Sequence, residues 1–405
     1  MAKIRPFRAL RPQPAFASRI ASVPYDVVNA EEARALAAGD ELSFLHVSRA
    51  EIDLPPGTDP YSDVVYKTAA ERFAKTRESM LEEAEPALYF YRLRMGEHEQ
   101  TGLAACYSVD EYDAGLIRKH EKTRRDKEDD RTRHITELRA QTGPVFLTYA
   151  ASPAVDAVAA RVAQTPPLYH VVAPDGVAHT LWKITGADMN AVIGAFSSLP
   201  ALYIADGHHR AASAARSRKA IPPEVGKDGV VEADWFLAVA FPDNQTQVLP
   251  YNRVVKDLAG LTPEAFLAAV RGIFVVRESG PASPAKQGDC AMYLGGMWYT
   301  LDIGAKAGAD VIGKLDVSVL QDHLLAPVLK IADVRTDKRI DFVGGIRGTA
   351  ELERLVDGGK AAVAFSLFPV SVGDLMGIAD AGEIMPPKST WFEPKLRDAF
   401  LIHLI

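Results

Sequence analysis

At 405 residues the chain is long enough to bury more than one core, and two or more lobes are expected. Its 48% apolar and 24% charged residues are those of an ordinary globular protein. A net charge of −7 argues against wholesale binding of nucleic acid or an anionic membrane, leaving room only for a local basic patch.

In chain order, Pro6, Pro12, Pro14 and Pro24 disfavour helix and predict an extended segment over residues 1–28. Asn29 then caps a short helix with Glu31 and Glu32 in its first turn, and Gly39 ends it. From Tyr61 to about Glu83 the apolar positions Val64, Val65, Ala69, Phe73 and Met80 recur at helical spacing and predict one long helix. Leu88 to Met95 and Gly102 to Val109 flank a turn and read as a β-hairpin. Residues 117–139 hold nine Lys/Arg and six Asp/Glu, and such a run is expected to be mostly a solvated helical face. Strands follow at Val145–Tyr149, Tyr169–Val172 and Ala178–Ile184, with helices at 154–164 and 188–196. Beyond residue 220, Trp235–Phe241 and Gln245–Pro250 read as a second hairpin. A helix at 262–271, three strands between 274 and 303, an apolar helix at 317–329, a strand at 361–370 and a helix at 372–379 give an α+β lobe. Cys106 and Cys290 sit in apolar settings without metal-ligand spacing, which suggests two buried thiols in a reducing compartment. No signal-peptide stretch or run of membrane-spanning length is read, so the expected address is the cytoplasm.

The chain is organised around residues 203–219. The apolar run Leu199–Ala205 reads as a buried strand that stops at Asp206-Gly207, and strong helix formers begin at Ala211. His208, His209 and Arg210 fall between them. The first amides of a helix are unpaired and carry partial positive charge, so an anion is welcome there. Gly207 permits a tight turn and a close backbone approach, and Arg210 offers a planar fork for a phosphate. Loops at the carboxyl ends of central strands are where α/β proteins place ligands. A basic turn with exposed histidines is the plain alternative.

Asp206-Gly207-His208-His209-Arg210 resembles the motif of free serine kinases of the ParB/sulfiredoxin fold. His208 stands where sulfiredoxin has its reactive cysteine, so sulfiredoxin chemistry is not implied. The whole chain is similar to a bacterial family catalogued as domain of unknown function ten-fifteen. The matching stretches are Ile4 to Phe7, Pro24 to Val28, Ser43 to Val47, His120 to Thr123, Leu249 to Arg253 and Met385 to Phe392. Members of that family often read Ser-Gly where this chain reads Asp398-Ala399. The resemblance implies a mixed α/β (α+β) architecture, with a ParB/sulfiredoxin-like nucleotide-binding core at residues 110–220 between an N-terminal α+β region (1–109) and a C-terminal α+β lobe (221–405). His120-Glu121 resembles the His-Glu pair of the kinases, in which the Glu is the base toward the substrate hydroxyl.

Three functions are weighed. The first is a small-molecule kinase that passes a phosphoryl group from ATP or ADP, with Mg²⁺, to free serine or a similar hydroxyl compound. Glu121 and Asp206 would be its catalytic residues, and Gly207, His208, His209 and Arg210 would bind phosphate. Asp26, His120, Lys388, Ser389 and Thr390 are further anion- or substrate-binding candidates, and Lys395 is a further donor that could reach back to the core. The nucleotide class rests on the resemblance alone, since the chain has no Walker A or dinucleotide fingerprint. The second function is a nucleotide-binding regulator without turnover. The third, a metal-dependent hydrolase, is disfavoured because adjacent histidines diverge and no spacing completes a ligand sphere, so no metal site is assigned. Partners are a small substrate and a nucleotide, with no nucleic acid or membrane; a homo-oligomer is left open.

Overall fold

The apolar runs of the first half of the chain assemble into one nine-stranded mixed sheet in the computed structural model, which describes residues 2–226 and 229–405. In chain order the strands are β1 (Ile4–Arg5), β2 (Leu88–Met95), β3 (His98–Ser108), β4 (Ile117–Arg118), β5 (Val145–Tyr149), β6 (Tyr169–Val172), β7 (Ala178–Ile184), β8 (Leu202–Asp206) and β9 (Trp235–Pro242). They lie side by side as β4–β8–β5–β9–β3–β2–β7–β6, with β1 on β3. All five residues of β5 are buried, as expected for a strand covered on both faces. Leu103, Tyr107, Leu147 and Ile204 from the sheet meet Phe196, Ala211 and Ala214 from helices in the main core.

The helices of eight residues or more in this part are α1 (Ala30–Ala37), α2 (Asp63–Arg77), α3 (Arg125–Leu138), α4 (Pro153–Val162), α5 (Gly186–Phe196) and α6 (His208–Ala220). Asn29 and Glu32 form a reciprocal capping box on α1. The long helix expected to reach Glu83 stops at Arg77. Met80–Glu82 instead pairs as a strand with Leu10–Pro12, so backbone pairing replaces the helical ladder there. The charged residues of the 117–139 run are exposed or half-exposed as expected, with the exception of Asp130. The inner side of α3 packs on α6, where Ser213 donates to the Glu128 carbonyl, and on α2, where the Tyr66 hydroxyl donates to Asp130 at 2.8 Å. Asp130 and His134 are consequently buried.

Two compact units divide the chain: residues up to 246 together with 394–405, and residues 247–393. Strands from both sides of residue 109 share the nine-stranded sheet of the first unit. Its C-terminal stretch returns to that unit, with His403 and Leu404 pairing with Gln141 and Ala140, and Ile402 bridging Leu10.

The second unit holds a six-stranded antiparallel sheet: β10 (Tyr251–Val255), β11 (Val275–Glu278), β12 (Asp289–Leu294), β13 (Met297–Asp302), β14 (Ile340–Gly344) and β15 (Val363–Leu367), ordered β11–β13–β12–β15–β10–β14. Helix α7 (Pro263–Ile273) belongs to it. The hairpin expected from 235–250 does not form. Strand β9 runs parallel to β5, and Val248–Leu249 pairs with Trp391–Phe392, where the Trp391 ring packs edge-on against Tyr251. The apolar helix expected at 317–329 is an α-turn, Asp316–Leu320, continued as a π-helical turn, Gln321–Leu325. Both cysteines are buried free thiols. Among the described residues, no helix is long and apolar enough to cross a membrane.

Candidate functional site

Strands β4 and β8 pair in parallel, Ile117 opposite Leu202 and Arg118 opposite Tyr203. Parallel neighbours end at the same sheet edge, so the segments that follow them emerge side by side. His120-Glu121 follows one strand and Gly207-His208 the other. This pairing brings together residues almost ninety positions apart.

At the end of β8 the chain turns in one residue. Gly207 adopts φ 92°, and α6 begins at His208 rather than at Ala211 as expected. The left-handed glycine takes up the whole change of direction, so the two histidines and Arg210 form the first helical turn. No side chain caps this N-terminus. The nearest candidate, Asp206, accepts instead from the Gly207 amide through Oδ1 at 2.8 Å.

Both histidines are acceptors for the neighbouring segment. His208 Nε2 lies 3.4 Å from the His120 amide, and His209 Nε2 accepts from the Arg124 amide at 3.0 Å. Together they hold residues 120–124 against the helix start. His208 Nδ1 faces Glu121 Oε2 at 3.7 Å, and the Glu121 side chain is 54% exposed. The His120 and His208 rings meet edge to face, 4.4 Å between centroids. Burial lowers the pKa of both: His120 falls to about 4, and His208 lies well below the ordinary value, with the neighbouring imidazole adding to the effect. Burial also lowers His209. The site therefore presents neutral imidazoles near pH 7.

Asp206 is charged. Burial alone would raise its pKa, but Lys395 at 2.8 Å and Arg210 at 3.9 Å hold the carboxyl far below the usual range. Arg210 turns inward. It is buried, donates from Nη1 to the Pro144 carbonyl, and lies against Gly207, where an added Cβ would sit 3.0 Å from its Cζ. Asp26, exposed, acts electrostatically on both Arg210 and His209. The buried Asp398 carboxyl is raised by burial to about 7, with Arg210 opposing and Asp26 adding.

Lys388, Ser389 and Thr390 belong to the second unit. There Lys388 accepts from Arg253 through its carbonyl at 3.0 Å and reaches over the Tyr251 ring, and Ser389 donates to the Pro386 carbonyl at 2.6 Å. Ser389 is buried and Thr390 half-buried. Of the C-terminal donors, Lys395 is the one placed at Asp206.

His120, Glu121 and His208 offer ligand atoms that all lie within 4.8 Å of one another, a grouping that sequence spacing did not reveal. Imidazole nitrogen and carboxylate oxygen suit zinc or a similar metal better than Mg²⁺. The fit is poor in two respects: His208 Nε2 already faces a donor amide, and a helix N-terminus disfavours a cation. For Mg²⁺ the oxygen donors at hand are Glu121 and Asp206, the latter engaged by Lys395.

These features define a mixed α/β protein with an uncapped helix start at a strand end, faced by a His-Glu pair. The chain belongs to the family described as "Protein of unknown function (DUF1015)", whose model matches residues 4–318. No curated protein matches it. Among solved structures, it is similar to a free serine kinase in complex with AMP at 12% identity, covering 73% of this chain and 92% of that one, with a TM-score of 0.33. A conserved hypothetical protein from Pyrococcus furiosus matches at 15% identity over 74% and 95% of the two chains, TM-score 0.34. SbnI from Staphylococcus aureus, with a C-terminal truncation, matches at 12% over 74% and 87%, TM-score 0.36.

Proposed function

We propose that the protein is a small-molecule kinase, with residues 110–220 as its ParB/sulfiredoxin-like nucleotide-binding core. The observation that carries this reading is the adjacency of Glu121 to the uncapped start of α6. Phosphoryl transfer needs fixed donors around the phosphates and a positioned group at the acceptor hydroxyl. The amides of the first turn supply donors, and Gly207 lets a phosphate approach the backbone. Glu121 is the base, exposed enough to meet an acceptor. Asp206, fixed by Lys395, orients Gly207 through its amide. His208 and His209 hold the segment that carries Glu121. The donor is ATP or ADP, and Mg²⁺ bound to its phosphates would neutralise their charge. The acceptor is free serine or a similar hydroxylated metabolite.

The test is phosphoryl transfer by the purified protein, with ATP and ADP tried separately and serine among several hydroxylated acceptors. Glu121→Gln is expected to keep nucleotide affinity while transfer falls about 10²–10⁴-fold, the usual worth of a positioned base. Full transfer by that variant would remove Glu121 from the mechanism. A nucleotide-binding regulator without turnover is the second reading, favoured by the inward turn of Arg210 onto Pro144. Tight nucleotide binding with no transfer to any acceptor would select it.

A further inference from the structure

In the second unit, strand β10 carries a buried arginine that no acid balances. Arg253 is 2% exposed, and it donates from Nη1 to the Tyr251 carbonyl and from Nη2 to the Lys388 carbonyl at 3.0 Å. Its Cζ lies 5.5 Å from the centre of the Phe342 ring. The remaining N–H groups, Nε among them, have no acceptor among the described residues. Among those residues, the groups that act on its charge are the Tyr251 hydroxyl and the Cys290 thiol, neither of them a carboxylate. Burial accordingly pushes the guanidinium down to about 10.

Arg253 lines a cavity of about 10 Å³, room for one water-sized sphere. Asp316 and Asp374 also line it, yet neither acts on the Arg253 charge. A water in this space would accept hydrogen bonds from Arg253 but leave its charge uncompensated, and an uncompensated buried charge is strongly unfavourable. Lys388, whose carbonyl holds the guanidinium, sits at φ 58°, a left-handed conformation that is costly for lysine. The stretches that bring these residues together, Leu249–Arg253 and Met385–Phe392, have no part in the kinase reading.

We infer that this cavity is a site for a monatomic anion, chloride, held by Arg253. A carboxylate or phosphate needs several times the space, whereas a halide is only slightly larger than water. Both the halide and the guanidinium are weakly hydrated, so little solvation is lost when they meet. The ion occupies the guanidinium end of the cavity, away from the two carboxyls. The site lies wholly within residues 247–393 and requires no turnover, so it stands apart from the kinase reading.

The test is thermal unfolding of the full chain at fixed ionic strength, with chloride exchanged for gluconate, which is too large for the cavity. The melting temperature is expected to rise saturably with chloride, and bromide is expected to replace chloride. Arg253→Met should abolish the dependence whatever its own stability. Arg253→Lys, which keeps the charge, should retain it at severalfold weaker affinity. Where Arg253→Met does not fold, bromide-soaked crystals of the wild-type protein decide, with an anomalous peak expected within hydrogen-bonding reach of Arg253. No chloride-specific rise, the same rise in a folded Arg253→Met, or bromide peaks only elsewhere overturns the inference.

Discussion

At Asp206 burial and ion pairing compete, and pairing wins: Lys395 and Arg210 hold the carboxyl charged. Lys395→Met removes the nearer cation and leaves the charge on Arg210 alone. The pair is neither fully exposed nor fully buried, so the expected loss is about 1–3 kcal/mol, measured by urea unfolding at pH 7. His120 and Asp398 make a sharper pair of tests because their shifts act in opposite senses. His120 has a folded pKa of about 4, below its ordinary 6.5, so the unfolded chain takes up the proton first as pH falls. It therefore costs stability between pH 6.5 and 4. Asp398 has a folded pKa of about 7, above its ordinary 3.8, so the folded chain is protonated first and gains stability as pH falls from 7 toward 3.8. Between pH 7 and 5 each effect is about 2 kcal/mol, and in the wild-type protein they largely cancel. Relative to wild type, His120→Gln is expected to gain about that much over the interval and Asp398→Asn to lose it. Parallel pH profiles for all three proteins would refute both assignments. Such residue-level couplings were only partly legible. Asp206 and Lys395 were each named from the chain, but their contact spans 189 positions and no local pattern announces it.

Among the elements, strands β6 and β7 have the limits that the sequence predicts, because apolar runs bounded by turns leave little ambiguity. Helix α3 is legible as a charged run with a solvated face, but the burial of Asp130 and His134 depends on α2 and α6, which sequence periodicity does not place beside it. The junction of β8 and α6 was legible in kind but displaced by three residues, since one left-handed glycine did the work of a longer loop. Gly207→Ala forces a side chain into φ 92° with its Cβ 3.0 Å from the guanidinium of Arg210. It is expected to cost roughly 1–3 kcal/mol and to weaken anion binding at the helix start, read by calorimetry. The reverse test lies at Ala399, which has φ 68°, a left-handed conformation that favours glycine. Ala399→Gly should stabilise by about 0.5–1 kcal/mol, seen as a raised urea midpoint with an unchanged slope.

Across the whole molecule, the first unit is assembled from two separated pieces of chain. Residues 394–405 contribute Leu396, Phe400, Leu401 and Ile402 to buried positions, along with Lys395 at the candidate site. Cutting the chain after Glu393 exposes those contacts and removes Lys395, the nearer of the two cations on Asp206. The truncated protein is expected to lose cooperative unfolding of the first unit, while 247–393 keeps its antiparallel sheet, as followed by hydrogen exchange. Equal protection of the nine-stranded sheet in both forms would count against this. Of this return only the reach of Lys395 to the core is legible in the chain; the backbone pairing is not, because two-residue strands and single bridges leave no periodic trace. The discontinuity also sets an order of events on the ribosome. The nine strands emerge early, yet the stretch that closes their unit appears only after the whole of 247–393 has been translated. For that interval the nascent first unit has exposed apolar surface that a chaperone or its own partial collapse must cover, whereas the intervening unit folds from one continuous stretch as soon as it clears the exit tunnel.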